Sequence, residues 1–487
     1  LSDISWLAVG VELLLGLGAA LILLIDVQWK PPTRVLGQVT AVLLGGAAVI
    51  TAVQWVSVPV PDPARPVVLD YLSFNGFLVT DFAAVLGRGT LLLAAGLGVA
   101  AGWRMFIRLG RRAAEALALV LLATTGFSFM ASTPHLVMMF LGLEVGSISL
   151  YVLAGITRER AESDEAALKY FLLGSLASAV FIYGVALLYA GTGSLEVGAV
   201  GAFTGEAVIR RPAVLLIGVA LIIAGLGFKV SAAPFHSWAP DVYQGAPAGL
   251  VGFMAAVAKI GGFAALLRIL TTAVPALAAD WVPVVATVAA LSMAVGVLLA
   301  IVQDDIRRML AYSGVAHAGF ILTGVVAGGA GSDSVWFYLA VYSLQLIGAF
   351  AVVAAVGGAS ASRSELTAYS GLYRRNPFVA LTFTVLLLGM GGLPLTSGFI
   401  AKFGVFTRAW EQGEAWLVIV AVVASVVALF IYLRVIVLMY MNEPVGKEAI
   451  AAPALTRWVL GLVSFATLFF GVLPRPLLEL AGNVLPF

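Results

Sequence analysis

Lysines stand in this chain where lysines are expensive. Lys229, Lys259 and Lys402 each fall inside a long apolar run, and Glu144 sits alone in a fourth, MMFLGLEVGSISLYVL. An ionisable side chain at the centre of a bilayer costs about 2.5–3.5 kcal/mol or more. Burial disfavours the charged form of a lysine and a nearby carboxylate favours it, so a lysine facing a movable acid is a switchable proton carrier. Arginine holds its proton too tightly for that role. The chemistry on offer is a proton relay at membrane depth, with Glu144 and Lys229 as the preferred pair. The plainer alternative is a fixed ion pair that sets helix packing.

The stretch around Lys229 reads GFKVSAAPFHSWAPDVYQGAP, from Gly227 to Pro247. Pro234 lacks an N–H and leaves the carbonyl of Val230 without its helical donor. Open backbone of this kind persists in a membrane only against protein or a water-filled cavity. A helix end with a snorkelling lysine is the competing reading. Lys402 repeats the arrangement in GMGGLPLTSGFIAKFGVF, where Pro394 follows Gly391 and Gly392. Lys259, in FMAAVAKIGGFAALLR, is the expected relay after Lys229, with Gly261 and Gly262 allowing close approach or water entry.

Lys169 follows Asp164 and Glu165 by about one helical turn, so it is either a helix-end salt bridge or a modulator of Glu144. His236 and His317 are candidate proton bridges near neutral pH. His317, in YSGVAHAGF, is the more interior, with Tyr312 and Ser313 nearby to hold water. His135 follows Pro134 and reads as interfacial. Asp304, Asp305, Arg307 and Arg308 read as a solvated turn.

These residues require helices that cross a membrane. The sequence is 62% hydrophobic and 11% charged, against about 25% charged in soluble domains. Apolar runs of roughly 20 residues give about fourteen spans, the seventh and twelfth interrupted by proline. Their approximate bounds are 4–26, 35–57, 77–102, 113–131, 134–156, 164–190, 212–233, 248–271, 281–301, 307–327, 334–357, 377–406, 415–441 and 455–480. Arginines and lysines gather in loops after odd-numbered spans, among them Arg104, Arg108, Arg111, Arg112, Arg307, Arg308, Arg374 and Arg375. Those loops are expected on the cytoplasmic side, which puts both termini outside. Arg88 and Arg434 fall within spans and are expected to snorkel. The outward connection from Thr192 to Arg211 reads as a permissive linker, and no further helix is expected after the last span.

The composition also excludes functions. There is no cysteine, so thiolate metal sites and iron–sulfur ligation within this chain are ruled out. Three histidines are too dispersed for a metal site. No phosphate-binding glycine motif is present, and no basic stripe points to nucleic acid.

The expected fold is an all-α integral membrane protein with two inverted repeats of about five helices, each carrying a broken helix. Residues 1–110 hold the first three spans, 111–272 the first repeat, 273–442 the second and 443–487 the last span.

With these residues in view, the chain resembles the antiporter-like membrane subunits of respiratory complex I, NADH:quinone oxidoreductase. FKVSAAPFHSWAPDVYQGAP, AAVAKIGGFAALLR, DDIRRMLAYSGVAHAGF and GGLPLTSGFIAKF carry the resemblance, which spans the fourth to thirteenth helices. Within the family it is most similar to the N-type subunits. The Asp241–Pro247 run, EAALKYFLLGSLAS in the sixth span and a lysine in the twelfth are the grounds, and the long lateral helix of the largest subunit is not expected.

The resemblance implies proton pumping driven by NADH–quinone electron transfer in other subunits, where FMN, iron–sulfur clusters and quinone would reside. It implies neighbouring antiporter-like subunits as partners in a bacterial inner membrane. It assigns the relay to Glu144, Lys229, Lys259 and Lys402, and carries over Lys169 and His317 beside them. A cation/proton antiporter subunit, a membrane-bound hydrogenase subunit and a scaffold with purely structural charges are the alternatives.

Overall fold

The structure is a computed structural model that describes residues 5–58, 72–74, 76–157, 160–206, 212–358, 364–445 and 449–482. Arg158, Arg210, Arg211, Arg363 and Lys447, which belong to the charge pattern of the loops, lie outside the described residues. In hydrocarbon every backbone polar group must be satisfied within the chain, so apolar sequence of this length folds as helices. Thirteen helices among the described residues are long and apolar enough to cross a membrane, and Pro377–Gly391 is a shorter apolar one.

The helices are α1 (Trp6–Trp29), α2 (Thr33–Ser57), α3 (Phe82–Ala101), α4 (Ala113–Ser132), α5 (Leu136–Ala154), α6 (Ala161–Thr192) and α7 (Pro212–Lys229). They continue as α8 (Ala248–Arg268), α9 (Ala278–Ile301), α10 (Ile306–Val326), α11 (Ser332–Gly357), α12 (Pro377–Gly391), α13 (Ser397–Glu411), α14 (Ala415–Met441) and α15 (Ala454–Val472). An antiparallel pair of very short strands, Leu72–Ser73 with Leu78–Val79, precedes α3.

Starts and stops follow local chemistry. Asp81 caps α3 by accepting from the Ala84 N–H, and Asn376 caps α12 by accepting from the Val379 N–H. Both satisfy amides that a helix start leaves open. The seventh and twelfth spans do break: α7 ends at Lys229 and α12 at Gly391. Each break holds a non-glycine residue at positive φ, Ser231 at 63° and Leu395 at 72°. Backbone of this kind is strained and persists only where its surroundings fix it.

Packing places α8 at the centre, where every residue from Leu250 to Arg268 is buried. Helix α10 and most of α11 are buried beside it. Outer helices turn large apolar side chains such as Leu17, Leu176, Val426 and Phe465 outward, as lipid-facing surfaces do. Glycine permits the closest approaches. A Cβ at Gly126 would lie 2.3 Å from the Gly146 nitrogen, and one at Gly319 would lie 2.6 Å from the Ala289 oxygen. The pairs α4–α5 and α9–α10 are therefore joined backbone to backbone, a common means of helix association in lipid.

Several expectations change. The Thr192–Arg211 connection is not merely permissive: it contains a helix, Val197–Glu206, whose Gly201 sits so close to Thr272 that a Cβ would meet its carbonyl oxygen at 2.2 Å. The last span stops at Val472, and a short helix, Arg475–Gly482, follows Pro474, contrary to the expected run to residue 480. Arg88 does not snorkel. It is fully buried and donates Nε to Glu12 at 2.9 Å, with further bonds to Gln54 and the Ala8 carbonyl. Arg434 reaches the α9 end, where it donates to the Ile301 carbonyl and to Asp304.

Candidate functional site

The two helix breaks and the buried lysines form one connected core. At the first break the open backbone finds partners on three helices. Trp238 donates its indole N–H to the Phe228 carbonyl at 3.0 Å, and Ser292 of α9 accepts from the Ala233 N–H at 2.8 Å. The Val230 carbonyl, orphaned by Pro234, accepts from Lys259 Nζ at 2.6 Å. A lysine from the most buried helix thus supplies the donor that proline removes. At the second break Lys402 Nζ donates to the Gly391 carbonyl and to Ser425 Oγ, both at 2.9 Å.

Lys229 is held differently. Its ammonium donates to Ser147 Oγ at 2.8 Å and lies 5.0 Å from the Phe127 ring centre, 5.7 Å from Tyr151 and 5.5 Å from Tyr170. Aromatic faces attract a cation that has left water. The direct Glu144–Lys229 bond that the sequence suggested is absent among the described residues. Ser147 lies three positions after Glu144 on α5 and therefore on the same face, and it intercepts the ammonium. Glu144 remains within electrostatic reach of Lys229, and its buried Oε1 has no hydrogen-bond partner among the described residues.

Between Lys259 and Lys402 lies an aromatic relay. His317 Nδ1 is 2.8 Å from Tyr338 Oη, and Nε2 is 3.2 Å from Tyr432 Oη. Tyr432 is also bonded to Ser313. The His317 ring stacks on Tyr342 with centres 4.3 Å apart. The buried Tyr342 hydroxyl lacks a partner, and a Cβ at Gly314 would sit 3.4 Å from it and 4.0 Å from Lys259 Nζ. His317 is within electrostatic reach of both Lys259 and Lys402. Lys402 in turn lies 4.6 Å from the Phe320 ring centre.

Lys169 stands apart from this core, and His236 lies at its edge. Lys169 is 42% exposed at its side chain and bridges Glu165 and Asp241, each at 2.7 Å. Arg308 meets the other Asp241 oxygen at 2.7 Å. Burial works against the Asp241 carboxylate, but the bonds from Lys169 and Arg308 prevail and hold it below the usual carboxylate range. The Asp304–Arg308 segment is thus more than a solvated turn. Asp305 caps α10, while Arg307 is buried and donates to the Gln244 carbonyl, clamping the short helix Trp238–Gly245 that follows the first break. His236 is half-buried within the break, and its Nδ1 has no hydrogen-bond partner among the described residues. His135 is half-buried at the start of α5, against Phe77.

Sequence reasoning missed Ser147, Ser425, Ser292, Tyr338, Tyr342 and Tyr432. Serine and tyrosine are common inside membrane bundles, where a serine bonds its own helix backbone, so type and spacing do not mark them.

Most buried cations among the described residues fall into two kinds, with Arg307, held on the Gln244 carbonyl, outside both. Arg88 and Arg268 are paired with Glu12 at 2.9 Å and Asp81 at 2.7 Å. Lys229, Lys259 and Lys402, each under 5% exposed, have no carboxylate partner among the described residues. A guanidinium keeps its charge when buried, and a counter-ion such as Glu12 or Asp81 offsets the cost. A lysine on hydroxyls and carbonyls can exist in either protonation state.

Comparison with known proteins gives the family and the fold. Residues 133–428 match the family described as NADH:quinone oxidoreductase/Mrp antiporter, TM. A curated relative from Parafrankia sp., named NADH-quinone oxidoreductase subunit N, is 46% identical over 371 residues, covering 75% of this chain and 70% of the relative. A chain of respiratory complex I from Thermus thermophilus superposes with a TM-score of 0.81 at 34% identity, covering 96% of this chain and 98% of that one. A chain of the archaeal membrane-bound sulfane sulfur reductase gives a TM-score of 0.87 at 25% identity, covering 98% and 97%. The chain belongs to the NADH:quinone oxidoreductase/Mrp antiporter family of multi-pass membrane proteins.

Proposed function

We propose that this chain is an N-type, proton-translocating membrane subunit of an NADH:quinone oxidoreductase. The observation that carries the reading is the set of buried lysines without counter-ions, two of which rest on carbonyls opened by helix breaks. Protons pass between Lys229, Lys259, His317 and Lys402, with Glu144 biasing Lys229 from the adjacent turn of α5. Moving the α5 face that bears Glu144 and Ser147 changes what Lys229 experiences, and with it the lysine's hold on a proton. His236, within the first break, is a lesser candidate for entry, and Lys169 fixes the rim through Asp241.

Residues 111–272 and 273–442 act as inverted halves, each built around one broken helix. The partners are the other membrane subunits of the complex, including neighbouring antiporter-like subunits. FMN, iron–sulfur clusters and quinone belong to those partner subunits, which perform the electron transfer. The chain resides in a bacterial inner membrane with the arginine-rich loops inside and both termini outside, as the distribution of basic residues favours.

The test is proton transport by the whole complex in vesicles, with NADH oxidation recorded in parallel, for Glu144→Gln and Lys229→Ala. Assembled complexes whose pumping is lost support the relay. Pumping equal to that of the unaltered complex overturns it.

A further inference from the structure

Away from the lysine relay, arginines converge on one cavity. Arg104, Arg108, Arg111, Arg112, Arg160 and Arg307 line a space of about 500 Å³ that has no carboxylate among its lining residues. It lies where the short helix Trp103–Leu109 meets the starts of α8 and α15 and the end of α11. Arg104, Arg108 and Arg111 are exposed, Arg112 and Arg160 half-buried, and Arg307 is 3% exposed. Arg104 and Arg108 each spend one nitrogen on a carbonyl, of Ala451 and Gly358. Arg160 Nε lies 3.8 Å from a Glu162 oxygen. The Nε of Arg307 is buried with no partner among the described residues.

This cluster breaks the pattern of the interior, where Arg88 and Arg268 each have an acid. Guanidinium groups gathered around a cavity with no acid in its described lining repel one another and leave fork-shaped donors unused. Such forks match the oxygens of a phosphate, two bonds at a time. The remaining walls include Met105, Leu109, Val353 and Pro453, which suit the glycerol and first acyl carbons next to a phosphate. Anionic lipids concentrate basic segments at a membrane surface. We propose that this cavity binds the phosphate of an anionic phospholipid headgroup. Arg307 links the site to the first helix break, because its Nη1 donates to the Gln244 carbonyl at 2.9 Å.

The test uses the purified whole complex, depleted of lipid and then incubated with isotope-labelled phosphatidylglycerol or phosphatidylcholine. Saturable retention of phosphatidylglycerol over phosphatidylcholine by about tenfold is expected, since charge-assisted forks recognise the net anion. The combined variant Arg108→Gln, Arg111→Gln, Arg112→Gln should lose that preference, and the corresponding Lys variant should keep most of it. Equal retention of the two lipids by the unaltered complex overturns the proposal without recourse to any variant. Retention unchanged in the Gln variant overturns it too. Displacement by equimolar inorganic phosphate assigns the site to free phosphate and overturns the lipid. No lipid retained at all overturns it in favour of an acidic segment of a partner subunit.

Discussion

The ammonium of Lys259 lies 2.6 Å from the carbonyl oxygen of Val230, the group that Pro234 deprives of its helical donor. A side chain on α8 thereby completes the backbone of the span that contains Lys229. The bond ties the state of one lysine to the geometry of the break beside the other. Lys259→Met should leave the carbonyl unpaired at a cost of about 1–3 kcal/mol. The expected outcome is a lower melting temperature of the purified complex together with lost proton transport. Unchanged melting would show that the carbonyl finds another partner.

Ser147 holds the Lys229 ammonium at 2.8 Å, in place of its expected pair Glu144. Ser147→Ala removes that contact and frees the lysine to approach the acid. Proton pumping should fall several-fold, with assembly and NADH oxidation less affected; the net contribution of one such bond is about 1.5–3 kcal/mol. Vesicle acidification rates measured beside NADH consumption decide the matter.

Arg88 and Glu12 should behave as a structural pair. Arg88→Leu alone strands a buried carboxylate and should cost about 3–5 kcal/mol, whereas Arg88→Leu with Glu12→Leu should recover much of that loss. Thermal melting of the two variants gives the comparison. A double variant no better than the single one would mean the pair has a role beyond packing.

The rim offers a pH test. Asp241 ionises more readily here than in an unfolded chain, because Lys169 and Arg308 outweigh its partial burial. Its stabilising contribution is therefore complete above the ordinary carboxylate value, about 3.9, and disappears as pH falls through the lower folded-state value. Melting followed below about pH 5 should show a decline that Asp241→Asn flattens. Identical acid profiles for the two proteins would contradict this account.

Tyr432 joins His317 and Ser313, so Tyr432→Phe cuts both contacts while keeping the ring. Pumping should slow while the complex still assembles, because a hydroxyl that can both accept and donate is needed to pass a proton. Full pumping in this variant would route the proton past Tyr432.

What the sequence determined by itself was the membrane-spanning helical class, the broken spans and the buried lysines. Length and hydropathy set the spans because lipid leaves backbone no other partner, and Pro234 and Pro394 set the breaks because proline has no N–H. The resemblance in GFKVSAAPFHSWAPDVYQGAP then named the family. Tertiary structure alone decided which atoms answer the breaks. Lys259 is 29 positions from Val230, and no periodicity along one chain encodes a contact between helices. For the same reason Glu12 could not be matched to Arg88, 76 positions away. Nor could the arginines before α4 be seen to share a cavity with Arg307. Charge at depth is legible from composition; the group that satisfies it is fixed only when the helices pack.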